Sequence, residues 1–142
     1  MSLLKILKIS FGVFFGAFIV SSVVMAAELD QTQPLTADEI HNGIQNMKAD
    51  LSSRIEAWGA TLKPEDFERS WTGRSLNKQK RQEVCGIFQT VVDDTYQLAV
   101  ENKSRLSEAD QKQIDDRNLF IQSLGYKNNI VDTQMGFNCR LR

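Results

Sequence analysis

The stretch Thr36–Leu62, TADEIHNGIQNMKADLSSRIEAWGATL, decides the class of fold. Its apolar residues are Ile40, Ile44, Met47, Leu51, Ile55, Trp58 and Leu62, spaced 4, 3, 4, 4, 3 and 4 apart. That spacing puts them on one stripe of an α-helix and fits no strand. Thr36 and Glu39 supply the start signal. The threonine hydroxyl can accept from the Glu39 N–H while the carboxylate reaches back to the Thr36 N–H. Gly59 weakens the last turn by about 1 kcal/mol relative to alanine. The helix should therefore end between Trp58 and Lys63.

Downstream, Pro64-Glu65-Asp66 suits the first turn of a second, short helix, with Phe67 and Trp71 covering one face and Gly73 ending it. Ser75 is then placed to cap a long third helix running to about Lys103. Val84, Ile87, Phe88, Val91, Val92, Tyr96, Leu98 and Ala99 give it a broad apolar face, so it should sit centrally between two neighbours. Gly86, beside Cys85, would admit another segment closely. Ser107 caps a fourth helix with Glu108 and Asp110 in its first turn. Ile114, Phe120, Ile121 and Leu124 form its buried face, and Gly125 closes it in the left-handed region. Tyr126–Arg142 carries the turn formers Asn128, Asn129, Gly136 and Asn138, with Ile130, Val131, Met135 and Phe137 to pack it down. No apolar–polar alternation is long enough to build a sheet. The expectation is an all-α fold over residues 36–142. It is a small antiparallel helical bundle of three main helices and one short helix, with an ordered C-terminal segment.

The N-terminus fixes the compartment. Lys5 and Lys8 precede an uncharged run from Ile9 to Ala27 that closes on Val24-Met25-Ala26-Ala27. A basic start, an apolar middle and a small-residue end read as a secretory signal peptide over residues 1–26, followed by a flexible leader over 27–35. The alternative is an N-terminal membrane anchor, because the 19-residue run approaches bilayer thickness. Both readings place the domain outside the cytoplasm, periplasmic or secreted. In that oxidising space Cys85 and Cys139, the two cysteines of the chain, are expected to form one disulfide. It closes a loop worth roughly 4 kcal/mol of chain entropy. No C-x-x-C pair supports redox catalysis. Without Lys5 and Lys8, 15 basic residues face 18 acidic ones, a formal charge of −3. That balance argues against nucleic acid as a partner.

The residues that could carry catalysis are sparse. His41 is the one histidine, with Asp38 and Gln45 on its side of the helix, and a metal site needs more ligands. Met47 and Met135 could join it as haem ligands, but no C-x-x-C-H attachment sequence exists and Met47 falls on the apolar stripe. No serine has a nucleophile setting. Asp93-Asp94 and Asp115-Asp116 point about 100° apart on a helix and read as solvated faces, Asp116 pairing with Lys112. No catalytic residue, metal or cofactor is assigned.

One charge cluster remains. Arg69, Arg74, Lys78, Lys80 and Arg81 have no acid between them, and Trp71 sits among them. Lys78, Lys80 and Arg81 fall in the first turns of the expected third helix, where the helix dipole disfavours cations. Such a patch could dock an acidic partner or make transient contact with anionic lipid headgroups; the plainer reading is a solvated basic stretch. Separately, Leu106-Ser107-Glu108-Ala109-Asp110-Gln111 resembles the L-T-x-x-Q signature of small helical periplasmic chaperones. Serine replaces the threonine and glutamine falls one place late, so the resemblance implies no more than chaperone-like binding. The functional expectation is a non-catalytic periplasmic protein acting through protein–protein contact with an envelope partner, as an inhibitor or immunity protein, an envelope-stress regulator or an assembly adaptor. Its alternatives are a carrier of a small apolar ligand between helices and, behind that, a cell-envelope hydrolase.

Overall fold

The computed structural model describes residues 33–142. The expected signal peptide or anchor, and most of the expected leader, lie outside them. Helix α1 spans Ala37–Gly59, with the capping box formed as the sequence implies. Glu39 N donates to Thr36 Oγ1 at 3.2 Å, and Thr36 N donates to the Glu39 carboxylate at 2.7 Å. The chain before it is held down: Leu35 N donates to the Arg105 carbonyl at 2.8 Å, and Arg105 Nε to the Gln33 carbonyl at 2.9 Å.

The fold is mostly helical but not all-α. In place of the short second helix, Pro64–Asp66 makes a single 3-10 turn. The chain then extends into strands β1 (Phe67–Ser70) and β2 (Gly73–Leu76), which pair antiparallel with Phe67 opposite Leu76 and Arg69 opposite Arg74. A helix from Pro64 would end at Gly73 after about two and a half turns. The hairpin instead pairs four residues on each side and buries Leu76. Gly73, at φ +130°, takes the backbone conformation that closes the turn. Ser75 is consequently a strand residue, and the cap of helix α2 (Lys78–Glu101) is Asn77, whose side chain accepts from Lys80 N at 2.9 Å.

The expected fourth helix is two. Helix α3 covers Glu108–Asp115 and helix α4 covers Arg117–Ser123. In a continuous helix Phe120 would lie about 120° around the axis from Ile114. The break at Asp116 re-phases the chain so that Ile114, Phe120 and Ile121 are all buried. The Asp116 carboxylate caps α4, accepting from Asn118 N at 2.8 Å and Leu119 N at 3.3 Å, rather than pairing with Lys112. Gly125, at φ +99°, closes α4: its N–H donates to the Gln122 carbonyl and Tyr126 N to the Ile121 carbonyl. The tail is also partly sheet. Strands β3 (Ile130–Asp132) and β4 (Asn138–Arg140) pair with Val131 opposite Cys139. The exposed–buried alternation of Asn138, Cys139, Arg140 and Leu141 is a strand period too short to read in advance.

Helix α2 is central. Val84, Phe88 and Val92 meet Ile114, Phe120, Ile121, Val131, Cys139 and Leu141 in one core. The Cys85–Cys139 disulfide pins β4 to α2 with Cα atoms 5.3 Å apart. Gln89 adds two bonds to the backbone of Arg142, at 3.0 and 3.1 Å. Helices α1 and α2 run in opposite directions: Trp58 meets Glu83 near one end, and Arg54 meets Asp94 further along.

Candidate functional site

Two surfaces stand out, one at each end of the α1–α2 pair. The first is the β1–β2 hairpin with the start of α2. Trp71 occupies the two-residue turn and is fully exposed, at 102% of its reference area. Phe67 is also exposed, and the Arg74 guanidinium lies 5.6 Å from its ring centroid while donating to the Pro64 carbonyl at 2.7 Å.

The structure sets Arg69 opposite Arg74 across the hairpin and does not leave the basic residues equally free. Lys80 bonds Glu83 at 2.8 Å, and Arg81 meets Glu68 at 3.2 Å. These acids flank the acid-free stretch and account for two of the three cations in the opening turns of α2. Glu83 is a hub, accepting also from Trp58 Nε1 at 3.0 Å and Gln79 at 3.3 Å. The bonds from Lys80 and Trp58 hold its carboxyl below the ordinary carboxylate value, and the same Glu83 bond raises the Lys80 ammonium. Among the described residues Arg69, Arg74 and Lys78 have no ion-pair partner, Arg74 bonding the Pro64 carbonyl and lying against the Phe67 ring. The first two of these cations lie on the strands joined by the turn that carries Trp71, and Lys78 lies at the base of the hairpin. Two of them, Arg69 and Arg74, face each other directly across the hairpin, an arrangement that opposes strand pairing.

The second surface is a cleft of about 360 Å³ at the other end, between the first turns of α1, the last turns of α2, and α3 and α4. Ile40, Ile44, Leu98, Leu106, Phe120 and Leu124 wall it. Leu98 is therefore not a core residue of α2; it is 55% exposed. Nothing in the sequence announced the cleft except Gly43, a glycine between two isoleucines on the apolar stripe.

The remaining candidates do not converge. His41, Asp38 and Gln45 are exposed on α1, and Met47 is buried. Asp93 is engaged by Arg117, Asp94 by Arg54 and Asp115 by Lys103. Among the described residues no group of three or more His, Cys, Asp or Glu side chains could hold a metal ion. No described helix is long and apolar enough to cross a membrane. No protein-family model, curated protein or solved structure matches the chain.

Proposed function

We propose that the chain is an exported, non-catalytic binding protein of the cell envelope that docks on an acidic protein surface through the β1–β2 hairpin. The observation that carries this reading is Trp71, presented whole to solvent at the tip of a hairpin whose strands carry the unpaired cations Arg69 and Arg74, with Lys78 at its base. Folding gains nothing from burying Trp71, because it is not buried, and the Arg69–Arg74 opposition works against the hairpin. Tryptophan and arginine are the residues that most often dominate binding energy at interfaces. The disulfide is compatible with an oxidising compartment and supports the export reading. An inhibited enzyme, a stress sensor and an assembly machine are the kinds of partner this reading admits.

The test is affinity capture from the envelope fraction with the wild-type protein and the Arg69→Glu/Lys78→Glu variant. Both residues are exposed and without ion pairs among the described residues, so the variant should keep its Tm. A protein retained by the wild type, released by salt and lost from the variant supports the proposal. Equal capture by both, at low and high salt, overturns it. So does retention on anionic vesicles with no protein captured.

A further inference from the structure

We propose that the cleft between α1, α2 and the α3–α4 segment binds the hydrocarbon chain of a small amphiphile whose head group is neutral or cationic. This site is independent of the hairpin: it lies at the last turns of α2, whereas the hairpin adjoins its first.

Size and lining come first. About 360 Å³ is at the small end of the ~300–1,000 Å³ typical of small-molecule sites. The walls are aliphatic and aromatic, and Leu98 stands more than half exposed among them. Apolar wall left in water forgoes burial free energy, which a hydrocarbon chain in the cleft would recover.

The space is also kept open by a residue choice. Gly43 lines the cleft in the body of α1, and a Cβ built on it meets nothing within 4 Å. Glycine there weakens the helix relative to alanine. No close backbone approach and no positive φ requires it. Its consequence is room that a larger side chain would fill. Both sides of the mouth are anchored without a ligand. Leu35 is tied to the Arg105 carbonyl, and the Asn102 side chain bonds the Leu98 carbonyl at 2.9 Å.

Charge selects the head group. Glu39 and Asp110 line the cleft, and no lysine or arginine does. The Thr36 backbone N–H and hydroxyl, helped by Arg105, hold the Glu39 carboxyl below its ordinary value, so it is ionised at neutral pH. Glu39 is already paired with Arg105 at 3.7 Å, whereas Asp110 has no ion-pair partner among the described residues, so an anionic head would meet a like charge at Asp110 and an ammonium an opposite one.

Calorimetric titration with dodecyltrimethylammonium and with dodecyl sulfate, both below their micelle concentrations, tests this. The wild type should bind the cation saturably and more tightly than the anion. Gly43→Leu should weaken cation binding by more than about tenfold with Tm unchanged or raised. Leu98→Lys, at an exposed position, should reverse the preference between the two probes, and it keeps the test decisive if Gly43→Leu folds poorly. No saturable binding of the cation, tighter binding of the sulfate by the wild type, or cation affinity indifferent to both substitutions would each overturn the proposal. None of these outcomes bears on the hairpin, so the two readings fail separately.

Discussion

Helices α1 and α4 use apolar residues in opposite ways. α1 is 23 residues long with a regular apolar stripe, yet Met47 is its one buried residue. α4 has 7 residues and buries Phe120 and Ile121, the latter completely. The difference teaches that helical period reports which face leaves water, not how deep it goes. Depth is set by how many other elements close over that face. α1 has α2 along one side, and its N-terminal half borders the open cleft; α4 is closed in by α2, α3 and the disulfide-tethered tail.

That contrast can be broken by substitution. The largest effect should come from the tether that closes the core over α4. Replacing both Cys85 and Cys139 with serine should lower Tm by on the order of 15 °C, from roughly 4 kcal/mol of loop entropy at about 4 °C per kcal/mol. A loss of a degree or two in a thermal melt would mean that the tail docks without its bridge. Next, Ile121→Ala should cost about 3 kcal/mol, whereas Ile44→Ala, on the cleft wall, should cost about 1 kcal/mol or less. Equal costs in urea titrations would erase the distinction between the two helices.

The smallest effect concerns the pairing of α1 with α2 through Glu83. Its carboxyl titrates lower in the folded chain than the ordinary 4.5, owing first to Lys80 and then to Trp58. The associated stability is present in full above pH 4.5 and is lost as pH falls through the lowered native value. Glu83→Gln should therefore lower Tm at pH 7 and make little difference at pH 2. A Tm gap that is constant with pH would assign the effect to shape rather than charge.

What could be read in the sequence was what is local. The Thr36–Glu39 box, the Ser107 cap, the Gly125 closure and the central place of α2 each depend on residues within a few positions of one another. The hairpin was not legible because its strands are stabilised by partners across the Trp71–Thr72 turn, and Pro64-Glu65-Asp66 does begin a helical turn before the chain departs from it. The split at Asp116 was legible in principle: Ile114 and Phe120 cannot share a helix face. For the basic patch, its location and the local Lys80–Glu83 pair were visible, but the pairing of Arg81 with Glu68, thirteen positions away, was not. The cleft was invisible because it is the gap left by four helices, marked in the sequence by Gly43 alone.

The central claim is that Trp71 serves a partner and not the fold. Its most direct test is to measure Trp71→Ala and wild-type affinities for the captured envelope protein alongside their melting temperatures. The account predicts affinity reduced by about 30-fold or more, the size of an interface hot spot, with Tm unchanged. Unaltered affinity, or a loss of binding that merely tracks a fall in Tm, would contradict it.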